Sequence, residues 1–300
     1  MHNLSNTFKT WTLMAALGGL LIAVGGLIGG QSGLVMAFLF AIALNGFVYW
    51  KSDSIALRAN GARELAPGEQ PRLVSIVGLL ADRAGIPMPR VYLVDRAEPN
   101  AFATGRDPKH AAIAVTTGLL EAMDERQLIG VLAHELSHVK NRDTLIGTIA
   151  ATIGGTISFL AQMGQFQLIF GGGDEDNGNP MLVLLGVILA PIAAMIIQLA
   201  VSRGREYLAD STGASLTGDP EGLAQALETL QAAQQQGLLA RMRGGLPGRR
   251  QPAPQGNPAF SHLWIVNPLS GSNVAKLFST HPPLDERIAR LRAMRLRRAA

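Results

Sequence analysis

Residues 131–139 have the sequence Val-Leu-Ala-His-Glu-Leu-Ser-His-Val. His134 and His138 are four residues apart, so on a helix their side chains lie one above the other on the same face. Two imidazoles in this arrangement can occupy two ligand positions of a tetrahedral zinc ion, with Glu135 beside them as a candidate general base. The alternative is a solvated helix face that carries two incidental histidines. A third metal ligand and a suitable scaffold would decide between these interpretations.

The composition of the chain is unusually apolar. Of its 300 residues, 48% are hydrophobic and only 16% are charged, and the apolar residues are clustered. There is no cysteine, which excludes disulfides and thiolate metal sites, so any zinc must be bound by histidines and carboxylates. The net charge of +4 comes partly from an arginine-rich C-terminal tail. The tail could contact anionic lipid, but a solvated basic face is the favoured interpretation, and nothing else in the sequence indicates a nucleic acid partner.

Long uncharged runs predict about four transmembrane helices, because about 20 residues suffice to cross a hydrocarbon core of about 30 Å. The runs cover approximately residues 11–30, 34–50, 144–170 and 181–201. We expect a first helical hairpin in residues 1–50 and a second in residues 144–201. A cleavable signal peptide is the alternative for the first run. A buried hairpin in a soluble domain is the alternative for the last two.

The charges that flank these runs predict their orientation. Lys51, Arg203 and Arg205 lie at one set of ends, whereas the loop between the last two runs contains Asp174, Glu175 and Asp176. Because basic residues are enriched on the cytoplasmic side, we expect both termini and the polar segments there.

The polar segments, residues 51–143 and 202–300, predict two parts of one α+β domain. The first part has helical spacing from Pro71 to about Ala84, strand-like runs at 89–95 and 111–116, and a capping box at Asp124 that opens the helix containing His138. The second part has predicted helices from Pro220 to about Gln235 and after Pro283. A disordered insertion, rich in Gly and Pro, is predicted at about 243–258.

The third ligand has to come from another element, and Glu206 is the candidate. Asp210 follows four residues later on the same helix face, where it can accept a hydrogen bond from a ligand histidine. The alternative is an acidic pair on a cytoplasmic helix, with Arg203 and Arg205 as partners. Two membrane runs separate His138 from Glu206, so both return to the same side of the bilayer, which favours Glu206 as the ligand.

These motifs together resemble the HtpX heat-shock proteases, a branch of the M48 gluzincin peptidases that is related more distantly to Ste24 and Oma1. The resemblance rests on residues 134–143, on Arg205-Glu-Tyr-Leu-Ala-Asp210, on Ser279-Thr-His-Pro-Pro283 and on the four apolar runs, and it covers nearly the whole chain. It implies a multi-pass zinc endopeptidase of the bacterial inner membrane with a zincin-like domain on the cytoplasmic face. It also implies a role in quality control of membrane proteins under stress.

For the site, the resemblance implies that one zinc ion is bound by His134, His138 and Glu206, with Glu135 as the catalytic carboxylate. An oxyanion formed during hydrolysis also needs a hydrogen-bond donor, and His281 is our candidate. The alternative is a surface histidine ahead of two prolines. Tyr207 is a second candidate donor, although its place next to Glu206 points it to a different face.

The substrate is expected to be a protein or peptide. It could bind as an added strand along residues 111–116, with Ala111, Ile113 and Val115 as contacts and Asn100 at the same edge. The alternative is that these residues form a simple hairpin.

Three classes of function remain open from the sequence. The first is the membrane zinc endopeptidase, and the second is a non-proteolytic scaffold or chaperone that retains a metal site. Glu135 argues against the second, because a structural metal site needs no base. The third, a metal transporter, is disfavoured because the uncharged runs lack the ionisable residues expected along a polar pathway.

Overall fold

The computed structural model describes residues 2–149, 203–243 and 282–299. Its helices and strands are α1 (His2–Ala59), β1 (Ala62–Glu64), α2 (Pro71–Ala84), β2 (Arg90–Val94), β3 (Ala101–Thr104), β4 (Ala112–Thr116), α3 (Thr117–Ala122), α4 (Glu125–Asn141), α5 (Arg203–Thr217), α6 (Pro220–Arg243) and α7 (Leu284–Ala299). Residues 144–149 are also helical. Most of the predicted second hairpin, nearly all of the predicted insertion, and His281 lie outside the described residues.

α1 is a hairpin of two helices that meet at Gly30. Gly30 has φ 58° and ψ −141°, a conformation that glycine adopts readily and that reverses the chain inside the predicted turn. The two arms pack against each other in antiparallel fashion. The rings of Trp11 and Tyr49 stack with their centroids 6.4 Å apart, and a Cβ atom placed on Gly18 would lie 3.4 Å from the Asn45 side chain.

The second arm is longer than the sequence predicted. Among the described residues, Gly30–Ala59 is a helix long and apolar enough to cross a membrane. The first arm contains only a shorter apolar stretch, Thr10–Ala23. The helix continues past the predicted end at residue 50 to Ala59 and buries Ala56 and Leu57 in the folded domain.

The four strands form one sheet in the order β1-β2-β4-β3. β2 and β4 are parallel, whereas β1 and β3 are antiparallel to their neighbours. Side chains alternate between the two faces, as they do in any strand. One face packs on the α2/α4 core through Val91, Ile113 and Val115. The other face, which includes Phe102, packs on the end of α1.

The helices around the site begin and end where the local sequence predicts. α4 starts with a complete capping box, in which the Asp124 carboxylate accepts from the Gln127 N–H and the Gln127 side chain accepts from the Asp124 N–H. α2 ends at Gly85, whose φ of 68° is the left-handed cap expected of glycine. α6 extends to Arg243, past the predicted end near Gln235.

α5 packs closely on α4 because Gly213 allows the two backbones to approach. A Cβ atom at Gly213 would lie 3.0 Å from the backbone nitrogen of His134. This contact brings the side of α5 that carries Glu206 and Asp210 against α4.

Candidate metal centre

Three side chains from two helices converge on one point. His134 and His138 of α4 and Glu206 of α5 each offer one ligand atom, and these atoms all lie within 4.8 Å of one another. The two Nε2 atoms are 3.2 Å apart. Each Nε2 lies 3.7 Å from a different oxygen of Glu206. Ligands of a tetrahedral zinc ion, with bonds of about 2.0–2.1 Å, lie about 3.3 Å apart, so the set has the spacing that zinc requires.

Both histidines are oriented by a carboxylate on the far nitrogen. His134 Nδ1 lies 3.0 Å from Asp210 Oδ1, and His138 Nδ1 lies 3.0 Å from Asp143 Oδ1. With the proton on Nδ1 donated to the carboxylate, the Nε2 lone pair of each ring faces the shared point. Asp143 follows the C-terminal end of α4, where the chain turns at Arg142 in the left-handed region (φ 56°).

Arg287 of α7 closes the far side of the cluster. Its guanidinium is fully buried and makes two bonds to Asp210, of 2.9 Å from Nε and 2.7 Å from Nη2. Nη1 lies 3.6 Å from Glu206 Oε2, and Nη2 lies 3.3 Å from His134 Nε2. Arg287 of α7 therefore links α5 to α4, because it contacts both Asp210 and His134.

Glu135 lies beside the histidines and contacts the sheet. It is buried, and its Oε2 accepts a hydrogen bond of 2.8 Å from the Ala103 N–H of β3. Burial raises the pKa of Glu135 to about 8, and the neighbouring Glu206 adds to the rise. A carboxyl group with a pKa near neutrality can take up and give back a proton at physiological pH.

The net charge of the buried side chains favours a divalent cation. Among the described residues, the cluster contains four buried carboxylates (Glu135, Glu206, Asp210, Asp143) and two buried guanidinium groups (Arg205, Arg287). With all four carboxylates ionised and both candidate ligand histidines neutral, two negative charges are left over, and in the absence of metal the raised pKa values of Glu135 and His138 let protons take up this surplus. Because an unbalanced buried charge is costly, a dication is the group that this donor set fits.

In the absence of metal, the pKa values of the two candidate ligand histidines are shifted in opposite directions. Burial lowers the pKa of His134, and the nearby Arg287 lowers it further. Burial alone would also lower the pKa of His138, but the charge of Asp143 and its hydrogen bond outweigh it and raise the pKa to about 10. At Asp210, burial would raise the pKa, but the charge of Arg287 prevails and lowers it to about 2.

Comparison with known proteins identifies the family of this site. The family model described as peptidase family M48 matches residues 67–295. A protein named "Protease HtpX homolog" from Persephonella marina is 53% identical over 291 residues, which cover 96% of this chain and 97% of the relative. Proteins of the same name from Pelotomaculum thermopropionicum and Syntrophobacter fumaroxidans are each 49% identical, over 96% and 97% of this chain and 99% and 100% of their own lengths.

This chain belongs to peptidase family M48. The resemblance to the HtpX proteases that the motifs indicated is confirmed by these relatives. Among solved structures, the crystal structure of S. mikatae Ste24p aligns with 96% of this chain and 66% of its own, at 20% identity and a TM-score of 0.49.

Within the M48 domain, the structure brings together most of the residues that the sequence singled out. His134, His138, Glu206 and Asp210 form one cluster with Glu135 beside it. Tyr207 lies to one side, under the guanidinium of Arg290 at 3.8 Å, in agreement with the expectation that it points to a different face. Asp143 and Arg287 also belong to the cluster, although their sequence contexts predicted no role for them. A signal for Arg287 existed, because a cation in the first turn of a helix opposes the helix dipole and calls for an acidic partner.

The predicted substrate strand of this M48 domain is wrong. β4, which carries Ile113 and Val115, is paired on one side with β2 and on the other with β3, so it offers no free edge. Ala111 precedes β4 and accepts from the Arg90 N–H. Asn100 is buried, and its side chain accepts from the Ala101 N–H. Within the described residues β3 pairs only with β4, which makes β3 the edge next to Glu135.

Proposed function

We propose that this M48 peptidase is a membrane-embedded, zinc-dependent endopeptidase that hydrolyses misfolded or membrane proteins in stress-related quality control. One zinc per chain would be bound by His134, His138 and Glu206. The bacterial inner membrane would hold the chain through several spans, with the catalytic domain and both termini on the cytoplasmic side. The observation that carries this proposal is the convergence of the three ligand atoms next to a buried carboxylate, Glu135.

The residues around the ligand set support hydrolysis. A bound zinc ion would lower the pKa of a water molecule and polarise the scissile carbonyl. Glu135 is adjacent in sequence to His134 but outside the ligand set, so its carboxylate is available to accept a proton from water and to deliver it to the leaving amine. In the metal-free protein, burial raises the pKa of this carboxyl group to about 8, so its surroundings favour uptake of a proton. The Ala103 N–H holds the carboxylate at the edge of the sheet.

The edge of β3 is the proposed binding place for the substrate backbone. Thr116 N–H donates to the Asn100 carbonyl across the β3–β4 pair. In an antiparallel pair, bonded and non-bonded residues alternate, so Phe102 and Thr104 direct their backbone groups to β4, and Ala101 and Ala103 direct theirs outward. The Ala101 and Ala103 N–H groups already donate to Asn100 Oδ1 and Glu135 Oε2. An added strand beside Glu135 would therefore donate its own N–H groups to the Ala101 and Ala103 carbonyls, with little sequence selectivity.

The test compares the full chain with its Glu135→Gln variant in detergent, measuring zinc content and cleavage of an unfolded protein. We expect cleavage to fall by about 10²–10⁴-fold while zinc binding is retained, because the amide oxygen can still accept from Ala103. Glu125→Gln is the matched control, since Glu125 lies on the same helix but is exposed. Undiminished cleavage by Glu135→Gln, or cleavage that survives complete removal of the metal, would contradict the proposal. An absence of cleavage by the wild type would favour the alternative, a non-proteolytic scaffold.

A further inference from the structure

One end of the sheet is attached to the membrane hairpin and to the start of the third uncharged run. The Arg106 guanidinium lies over the Trp50 ring, 4.7 Å from its centroid, and donates to the Trp50 carbonyl. Thr144 Oγ1 donates to the Gly105 carbonyl at 2.8 Å. Arg90, the first residue of β2, forms an ion pair with Asp53 of α1. Three separate contacts therefore join the same end of the sheet to segments that enter the apolar runs.

Trp50 marks the level of the membrane surface in this arrangement. It ends the second uncharged run, immediately before Lys51, and its side chain is 60% exposed. Tryptophan next to lysine at the end of an apolar helix is typical of the membrane–water interface. The loop after β3 thus lies at the interface because Arg106 is stacked on Trp50.

β3 leads from the catalytic carboxylate directly to this interface. Ala103 holds Glu135 through its N–H, and Arg106 follows three residues later. At roughly 3.3 Å per residue, the chain covers about 10 Å between them. β3 runs in the direction of the membrane, since its last residue, Thr104, precedes the Gly105 carbonyl that Thr144 binds.

We propose that the substrates of this site are membrane-anchored chains that are cut a few residues past the end of a transmembrane span, with the span on the N-terminal side of the cleaved bond. This proposal rests on the proposed peptidase function and on α1 crossing the bilayer. A strand on the outer edge of β3 has one end at the interface, so a span can be connected to it through only about three to six residues.

The strand direction decides which side of the cut carries the span. Antiparallel pairing is the more stable arrangement per residue. A peptide antiparallel to β3 has its N-terminal part next to Thr104, at the membrane end, and its C-terminal part next to Ala101. A substrate whose span follows the cleaved bond would have to pair in parallel or loop back through additional residues.

The test uses the full chain in liposomes with three reporters that share one unstructured segment. In the first reporter a transmembrane helix precedes the segment, in the second the same helix follows it, and the third is the free segment. Tethering at short range raises the effective concentration of the segment. We expect the first reporter to be cut on the order of tenfold faster than the second, with its first cut within about three to six residues of the span.

Each outcome has a defined meaning. Equal rates for the two tethered reporters, or first cuts spread evenly along the segment, overturn the proposal and leave the peptidase function intact, because the free segment still reports it. If none of the three reporters is cut, both the peptidase function and this proposal are overturned. Faster cutting of the second reporter overturns the antiparallel direction.

Arg106→Gln tests the attachment itself, with Lys109→Gln as its matched control. Both residues lie in the loop after β3 and both changes remove one positive charge, but Lys109 is exposed and Arg106 contacts Trp50. We expect Arg106→Gln to reduce the ratio between the first two reporters to below about threefold, against on the order of tenfold in the wild type, while cutting of the free segment is unchanged. An equal ratio in the two variants would contradict the role of this contact.

Discussion

The two sides of the metal cluster are built in different ways. On one side, α4 supplies His134, Glu135 and His138 within five consecutive residues, and the helix alone sets their spacing. On the other side, Glu206 and Asp210 come from α5 and Arg287 from α7, more than 60 residues away along the chain. There the relative positions depend on packing, on the close approach at Gly213 and on the buried ion pair.

This difference predicts where the site is fragile. The α4 side keeps its geometry as long as the helix is formed. The α5/α7 side keeps its geometry only if three helices remain packed, and the Asp210–Arg287 pair lies at their junction. Changes at this pair should therefore affect both the free energy of unfolding and metal binding, whereas changes at the start of α4 should affect mainly the free energy of unfolding.

The largest effect is expected from Arg287→Met. Removing the guanidinium leaves the Asp210 carboxylate buried without its cation, which costs about 3–5 kcal/mol of unfolding free energy. Denaturant unfolding in detergent measures the loss, and zinc content should fall in parallel. Arg290→Met on the same helix is the control, since Arg290 is half exposed and its ion pair with Glu286 and its stacking on Tyr207 each contribute about 1 kcal/mol or less. Equal losses in the two variants would argue against a structural bridge at Arg287.

The two histidines should also differ in their response to pH. His138, with a pKa of about 10 in the metal-free protein, has to lose its Nε2 proton before it binds zinc. Protons compete with the metal below that pKa, so the affinity should rise with pH. Displacement of one proton predicts about tenfold per pH unit, or on the order of 100-fold from pH 6 to pH 8. Competition titrations with a chelator of known pH dependence measure this slope, and a flat profile would contradict the protonated state of His138.

The carboxylates behind the histidines allow a direct comparison of the two sides. Asp143→Asn and Asp210→Asn each weaken the hold on one ligand ring, which typically costs 10–100-fold in metal affinity. We expect Asp210→Asn to be the more damaging, because it also deprives Arg287 of its buried partner. Zinc dissociation constants and unfolding midpoints of the two variants test this order. A larger loss of stability in Asp143→Asn would reverse the comparison.

The smallest effect is expected at the start of α4. Asp124→Ala removes the side-chain half of the capping box and should lower the unfolding free energy by about 1 kcal/mol. The histidines lie in the third and fourth turns, so their spacing is preserved and zinc affinity should stay within about twofold. A drop in affinity as large as that of Asp210→Asn would show that the α4 side is not locally determined.

Sequence patterns predicted the features that depend on neighbouring residues. The cap at Asp124, the end of α2 at Gly85 and the strand at 90–94 all follow from local chemistry, and the structure has them. Strand order could not be predicted in this way, because an apolar run such as residues 112–116 looks the same at the centre of a sheet as at its edge. For that reason β4 was mistaken for the substrate strand.

The burial of Asp143 and Arg287 beside the histidines could not be predicted for a similar reason, although the place of Arg287 in the first turn of its helix indicates the need for an acidic partner. Each carboxylate or guanidinium is an ordinary charged residue until tertiary packing buries it beside the histidines. Glu206 and Asp210 were found because their spacing repeats a helical period and because the apolar runs return them to the same side.

The end of α1 has a consequence for how the protein is made. The buried residues Ala56 and Leu57 cover one face of the sheet, against Tyr92, Phe102 and Ala114. During synthesis from the N-terminus this helix emerges before any of the strands. The strands therefore meet a helix that has already been synthesised, and a chain translated without its first 59 residues would expose that face to water and to other chains. The order of synthesis is thus part of the folding route of the sheet.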